Sequence, residues 1–343
     1  MTHALRSRWG AVALTLVSLS LVSVSGCAAP GSTFTFVEEN DVFSIGKNSD
    51  RHYTQGGRAS WVFPTESAPE LARSLAENTG VLNATTEAMG FAIGHNIYTP
   101  TDISRRSLIK KNRPYAGWLY AGVMLGNVER TDEDPTHDRL DSFELDLGIV
   151  GPSSLADELQ IAVHKFISSP RPHGWRHQLK DEPGVLIRYE QRRRFLAGEL
   201  GDRVSWDGLY AVGGSLGNVL TQLDGGVQLR LGYNLQRDFG VSTIRRTALE
   251  VGGRELDGSF AAYVFGAADG MAVGRNIFLD GNSFRDSHSV DKDYLVGELR
   301  AGIGLEWLNW RGSFSQNTRT REFRGQKHAQ NYGTFSVQYV FDF

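Results

Sequence analysis

The final residues of the chain alternate between large apolar and mostly polar side chains. From Phe335 to Phe343 every odd-numbered residue is large and apolar, and most even-numbered residues are polar. Successive side chains of a strand point to opposite faces, so this pattern predicts a strand with one apolar face. A strand with an apolar face toward lipid and a polar face toward a lumen is typical of a barrel in a membrane.

The same alternation recurs along the chain, in about twelve segments separated by turn residues. We predict strands near 33–44, 53–63, 87–98, 116–129, 139–150, 184–197, 203–217, 223–235, 257–268, 293–308, 311–323 and 330–343. An even strand number is typical of bacterial outer-membrane barrels. A soluble secreted all-β protein would show similar alternation. The pattern favours an all-β fold: a transmembrane antiparallel β-barrel of about twelve strands, with a short helix inserted.

Composition excludes several classes of protein. The mean hydropathy is −0.30, and no apolar run of eighteen residues follows residue 30, which argues against transmembrane helices. The net charge is −3, and no basic patch predicts a nucleic-acid partner. A barrel that spans a bilayer would instead contact outer-membrane lipids, and we expect it to be a monomer.

The N-terminus predicts export. Arg6 and Arg8 precede an apolar stretch at 11–25, and small residues follow, as in a bacterial signal peptide of residues 1–28. Cys27 is the only cysteine, so no intramolecular disulfide forms. The sequence before Cys27 resembles a lipobox, and two interpretations stay open: lipidation of Cys27, or ordinary cleavage nearby. In both, the barrel domain takes up residues 29–343.

Two segments do not fit strands. Residues 66–86 predict a short amphipathic helix and loop. Residues 151–182 begin with a turn and a helix cap at 151–154, and a helix from Leu155 to Phe166 follows. Leu155, Leu159, Ala162, Val163 and Phe166 form an apolar stripe on it, and His164 lies off this stripe or at its edge. An inserted helix and loop of this length is commonly functional.

A polar cluster interrupts the first predicted strand. Glu39, Asn40 and Asp41 stand in a row, and Thr54 follows on the next strand. Buried polar groups need partners, so such a run is often functional, although a solvated hairpin with an Asx turn would look the same. Asp41 could bind a hard cation, because such ions prefer carboxylate oxygens. Asn40 and Thr54 could orient a substrate or donate to an oxyanion.

The common hydrolase signatures are absent: there is neither a Gly-x-Ser-x-Gly motif nor a His-Glu-x-x-His motif. The candidate base is His164 on the inserted helix; a lone helix histidine is as often a surface residue. His95, His173 and His177 are rival histidines. Basic residues are dense at 105–106, 110–111, 192–194 and 245–246, where they are either solvated or contact lipid phosphates.

Over nearly the whole mature chain, the sequence resembles the outer-membrane lipid A 3′-O-deacylases of Gram-negative bacteria. No single motif carries this resemblance alone; the order of five does. They are Glu39–Phe43, Asp50–Gly56, Asn96–Pro100, Arg113–Trp118 and Gly148–Pro152, followed by His164 and the stretch Trp175–Leu179.

The resemblance implies a twelve-stranded barrel with its site between the wall and a helix. It implies a calcium-dependent ester hydrolase that removes the 3′-linked acyloxyacyl group of lipid A in lipopolysaccharide. His164 would match the catalytic histidine that deprotonates a water molecule, and Asp41 the acidic residue at the calcium ion. Asn40 and Thr54 would match the polar residues beside the metal.

One departure concerns the loop after the catalytic histidine, where family members often carry an acidic residue. Here Ser168–Gly174 contains no carboxylate, and Asp181 and Glu182 come later in the sequence. Weaker calcium binding, an altered substrate and inactivity all stay open, and Glu39 is a candidate replacement. Two other functions also stay open: an outer-membrane phospholipase, and a non-enzymatic barrel that acts as a channel or a surface-binding protein.

Overall fold

A computed structural model of the chain describes residues 31–45, 51–68, 70, 74, 87–131, 134–241, 243–247, 249 and 260–341. In this part of the chain twelve antiparallel strands close into one barrel, with β1 paired to β12. The strands are β1 (Thr33–Asn40), β2 (His52–Pro64), β3 (Ala88–Thr99), β4 (Ala116–Glu129), β5 (Arg139–Val150), β6 (Glu182–Glu199), β7 (Val204–Gly217), β8 (Leu220–Tyr233), β9 (Ala261–Asn276), β10 (Leu295–Trp307), β11 (Trp310–Arg319) and β12 (Gln330–Val340). The predicted barrel of about twelve strands is confirmed.

Two predicted strands differ clearly from the observed ones. β1 ends at Asn40 rather than at residue 44, because a 3₁₀ turn at Asp41–Phe43 follows it. β9 runs from Ala261 to Asn276 rather than over 257–268. The predicted signal peptide (1–28), Cys27 and the last two residues lie outside the described residues.

The outer surface of the barrel is apolar. Leu223, Leu295 and Leu299 are 63–77% exposed, as expected of side chains that face lipid. At the end of the barrel where β1 begins and β12 ends, aromatic side chains pack against each other, as in the girdles of membrane barrels. Trp61 stacks on Phe341 with 5.4 Å between ring centroids. We call this the terminal end; the opposite loop end carries the connections 41–51, 100–115, 151–181, 218–219, 277–294 and 320–329.

The lumen is filled by charged side chains and by a segment of the chain. Arg58 and Arg188 bind the carboxylate of Glu144 at 2.8 and 2.9 Å, and all three residues are buried. The connection between β8 and β9 folds back inside the barrel, where residues 236–241, 243–247 and 249 form what we call the inner segment. A lumen filled in this way counts against the channel hypothesis.

The inserted helix is present as α1 (Ala156–Ile167), preceded by a 3₁₀ turn at Pro152–Ser154. Its N-cap is Leu155, and no side chain caps the helix, so the predicted cap at 151–154 is only a turn. A four-residue helix, α2 (Ile277–Asp280), follows β9. No described helix is both long enough and apolar enough to cross a membrane. The helix predicted within 66–86 falls largely outside the described residues.

Candidate functional site

The first hairpin presents its polar residues through two local irregularities. Asn40 ends β1, and its Oδ1 accepts a hydrogen bond from the backbone N–H of Val42 at 2.9 Å, which caps the 3₁₀ turn. Asp41 is buried in that turn, and its Oδ2 accepts from the N–H of Arg51 at 3.1 Å. On β2 the register with β3 shifts between Tyr53 and Gln55, so Thr54 is the extra residue of a β-bulge.

Asn40 and Thr54 lie on the outer face of the wall. Tyr53 packs against Tyr98 inside the lumen, so Thr99, the residue after Tyr98, points outward, and the β-bulge turns Thr54 to the same face. There its hydroxyl lies 2.7 Å from the hydroxyl of Thr99, at the end of β3. The predicted proximity of these hairpin residues is therefore present in the structure, and Thr99 joins them.

Glu38 is a further acidic residue at this position. The side chains of Asn40 and Gln55 both hydrogen-bond to the carboxyl group of Glu38. Gly57 leaves room for that group, since a Cβ there would lie 3.0 Å from Oε2 of Glu38. Glu39, the candidate replacement for the acidic residue missing from loop 168–174, instead faces the lumen and accepts from the N–H of Ile244 at 3.1 Å. Because neighbouring side chains of a strand point to opposite faces, the sequence already places Glu38 and Glu39 on different faces of β1.

Helix α1 places His164 on its buried face. The buried residues of α1 are Ala156, Gln160 and His164, which recur every four residues, whereas Leu155, Leu159 and Phe166 of the apolar stripe are exposed. This orientation is expected when the surroundings are lipid, because the stripe then faces hydrocarbon. His164 therefore faces the protein.

The tautomer of His164 follows from one hydrogen bond. Its Nδ1 lies 2.6 Å from the carbonyl oxygen of Pro170. A carbonyl oxygen only accepts, so Nδ1 carries the proton, and Nε2 is the basic nitrogen of the neutral ring. Ser169 N–H also binds the carbonyl of His164 at 2.8 Å, which fixes the loop that supplies Pro170.

The helix rests on the outer wall because a glycine leaves room for it. A Cβ on Gly117 of β4 would collide with the side chains of Ser154 and Ala156. At the next turn of the helix, Trp175 Nε1 donates to Gln160 Oε1 at 2.8 Å, and the ring of Trp175 packs on Tyr115 with centroids 4.8 Å apart. The helix of His164 therefore packs beside the strands that carry Thr54 and Thr99, on the same face and at the same end.

The rival histidines have other environments. His95 lies on β3, and its Nε2 binds the carbonyl of Ser154 at 2.9 Å, which supports the turn before α1. His173 is exposed, and His177 accepts a hydrogen bond from the Nε of Arg176 at 3.1 Å. His95 is also the register partner of Gly57 and so lies on the outer face near Glu38, whereas His173 and His177 lie in the connection after α1.

The donor set at the hairpin suits calcium chemically. Asp41, Asn40, Glu38 and Thr54 supply oxygen atoms, which Ca²⁺ prefers. No described group of three or more His, Cys, Asp or Glu residues could hold a metal ion, so other oxygen ligands would have to complete the shell. Asp181 binds Ser153 instead, and Glu182 binds Asn218 and Asn282, so neither supplies the carboxylate that loop 168–174 lacks.

The basic clusters lie in different environments, and Arg193 is half-buried on β6, where its Nε donates to Oε1 of Gln191 at 3.0 Å. Arg192 and Arg194 are buried among carboxylates and carbonyls of the lumen, and Arg245 and Arg246 belong to the inner segment. These four cannot contact lipid phosphates, which corrects that interpretation for them. The exposed pairs at 105–106 and 110–111 lie in a connection at the loop end, where both interpretations still hold.

Comparisons with known proteins agree with the barrel fold. A protein-family model described as "Outer membrane protein LpxR" matches residues 11–341. The solved structure of LpxR from Salmonella typhimurium superposes with a TM-score of 0.71 at 20% sequence identity, covering 90% of this chain and 100% of that one. At 20% sequence identity, this structural similarity is evidence for the fold alone. None of the curated proteins matches the sequence.

Other solved barrels are less similar. The translocator domain of the autotransporter NalP from Neisseria meningitidis has a TM-score of 0.40 at 13% identity, covering 99% of this chain and 100% of that one. The β domain of the Bordetella autotransporter BrkA has a TM-score of 0.43 at 12% identity, covering 92% of this chain and 100% of that one.

Proposed function

Since the chain belongs to the family of the outer membrane protein LpxR, we propose that it is an outer-membrane ester hydrolase that removes the 3′-linked acyloxyacyl group of lipid A. The observation that carries this proposal is the environment of His164. Its Nδ1–H donates to the carbonyl oxygen of Pro170, so Nε2 is the basic nitrogen. The helix that carries it packs against the outer face of the wall. A base in that position serves a substrate that stays in the membrane.

The residues present suggest a general-base mechanism. Nε2 of His164 takes a proton from water, and the water oxygen attacks the ester carbonyl carbon. The carbonyl oxygen of Pro170 accepts a hydrogen bond from Nδ1–H and thereby stabilises the positive charge of the imidazolium. When the tetrahedral intermediate collapses, the ester C–O bond breaks and the leaving sugar oxygen regains the proton from Nε2. The products are a free acyloxyacyl carboxylic acid and the 3′-hydroxyl of lipid A.

Calcium is part of the proposal. Asp41 would hold the ion, with oxygen atoms of Asn40, Thr54 and Glu38 close by, and this donor set fits Ca²⁺. When bound, calcium would polarise the ester carbonyl and stabilise negative charge on its oxygen. The carboxyl group of Glu38 hydrogen-bonds to the side chain of Asn40 and adds an acidic residue on the outer face, whereas loop 168–174 has none.

Mass spectrometry of lipid A tests this function. Cells that express the chain should yield lipid A lighter by one acyloxyacyl group than cells with an empty vector. The phospholipase alternative predicts fatty acids released from purified glycerophospholipid and unchanged lipid A. A non-enzymatic surface-binding barrel predicts neither change. Unchanged lipid A together with intact folded protein in the outer membrane would refute the deacylase proposal.

Substitution of Gly117 with alanine should reduce the rate of deacylation roughly tenfold or more. The added methyl group collides with Ser154 and Ala156, so α1 moves away from the wall and His164 with it, and small misplacements of a catalytic group are costly. The rate is measured with purified protein and lipopolysaccharide. Gly266→Ala is the matched control, because a Cβ at Gly266 on β9 meets no atom within 4 Å. Equal rates in the two variants would contradict this account of how the helix is seated.

A further inference from the structure

The inner segment crosses the lumen from one end of the barrel toward the other. It leaves β8 and returns to β9 at the terminal end, where Arg237 Nε binds Asp138 Oδ2 at 2.6 Å. Farther along, Phe239 and Leu249 pack among the buried apolar residues of the inner wall. Arg246 then binds Glu190 at 2.9 Å. The segment is thus attached to the wall at successive levels.

The tip of the inner segment, Ile244 and Arg245, lies against the inside of the first hairpin. The N–H of Ile244 donates to Glu39 Oε1 at 3.1 Å, and its Cδ1 lies 2.8 Å from the position that a Cβ of Gly56 would take. Glu39 and Gly56 are register partners on β1 and β2. The side chain and backbone of Ile244 therefore contact both members of one cross-strand pair.

Arg245 extends this contact to the neighbouring residues. Its guanidinium lies 5.3 Å from the ring centroid of Tyr53, which directly precedes Thr54. Its Nη2 also lies 3.4 Å from Oε1 of Glu322, and Oε2 of the same carboxylate accepts from Arg113 Nη1 at 3.1 Å. Burial acts to raise the pKa of Glu322, but the guanidinium groups of Arg113, Arg245 and Arg319 outweigh it and lower this pKa to about 2. The ion pair therefore stays charged at any pH used for an enzyme assay.

The outer face of the same short stretch carries the candidate site. Asn40 follows Glu39, and Thr54 follows Tyr53, so each site residue has a neighbour held from inside. A change of side-chain packing on one face of a strand shifts the backbone that both faces share. We infer that Arg245 is a positioning residue, which with Ile244 fixes Asn40 and Thr54 from the lumen side; this inference rests on the proposed function.

The test compares two arginine substitutions in the same segment. Arg245→Met removes the ion pair with Glu322, whereas Arg237→Met removes the two-hydrogen-bond ion pair with Asp138 at the terminal end. We expect Arg245→Met to lower kcat for lipopolysaccharide about tenfold or more with KM within about threefold, because geometry at the ester is lost and substrate contacts are kept. Arg245→Lys should restore most of kcat, and Arg237→Met should match the wild type.

Hydrogen exchange of folded protein in detergent gives a readout that does not depend on activity. The amides of residues 38–41 and 53–56 should exchange several-fold faster in Arg245→Met than in Arg237→Met. If Arg245→Met does not fold, Ile244→Ala, which keeps every ion pair, takes its place. Unchanged exchange and kcat would overturn the inference. If the wild type leaves lipid A intact while exchange changes as expected, the proposed function fails and the positioning role stands.

Discussion

Cells that express His164→Ala should contain unmodified lipid A. Nε2 is the basic nitrogen of this ring because Nδ1 donates to Pro170, and alanine removes the only imidazole on α1. Loss of a general base typically lowers a rate by ~10²–10⁴-fold. The measurement is the mass of lipid A beside cells with the wild-type chain, and the purified variant gives the residual rate.

His173→Ala is the matched control for that experiment. His173 lies in the loop after the same helix, but its side chain is exposed, so its loss should leave the lipid A mass at the wild-type value. His164→Gln adds a second comparison, since it retains a polar side chain and removes the base. If His164→Gln or His164→Ala retained full activity, the general-base mechanism would be wrong.

The second large effect concerns calcium and Asp41. Chelation of calcium from the purified protein should lower the rate about 100-fold or more, and added Ca²⁺ should restore it, because stabilisation of the oxyanion is lost. Asp41→Asn should require a much higher Ca²⁺ concentration for half-maximal activity, since the amide keeps the shape and removes the charge. Calorimetry with CaCl₂ measures the affinity directly, without any turnover.

Asp102→Asn serves as the control for charge loss at the loop end. Asp102 is an exposed carboxylate that binds Ser104 in a connection at the same end, so its calcium titration should overlay that of the wild type. An Asp41→Asn variant with wild-type calcium affinity would remove Asp41 from the metal site. Activity that persists in chelator would exclude a calcium-dependent mechanism.

The sequence predicts the barrel well where its outer face is large and apolar. β12 alternates Phe335, Val337 and Tyr339 with smaller polar residues, and it forms the predicted strand. β9 is different, because its outer face from Gly266 to Gly274 consists of glycine and alanine only. There the size contrast between the faces disappears, and the predicted strand ended eight residues early.

The site was predictable in its residues more than in its contacts. Asn40, Asp41 and Thr54 stood out because polar side chains interrupted a strand pattern. The bond from Thr54 to Thr99 depends on a β-bulge between Tyr53 and Gln55, and nothing in the local sequence specifies that register shift. The apolar stripe on α1 does not by itself show which face packs against the protein; in lipid the exposed face is the apolar one, so His164 is buried on the other side.

The outward position of Asn40, Thr54 and α1 sets how a lipid would reach them. A membrane lipid would arrive by lateral diffusion within its own leaflet, so the search is two-dimensional. The frequency with which a lipid meets the site would depend on the mole fraction of that lipid at the surface rather than on the bulk concentration of the lipid. Mixed micelles with added inert detergent would therefore slow the reaction by surface dilution, even when the total amount of lipid is constant.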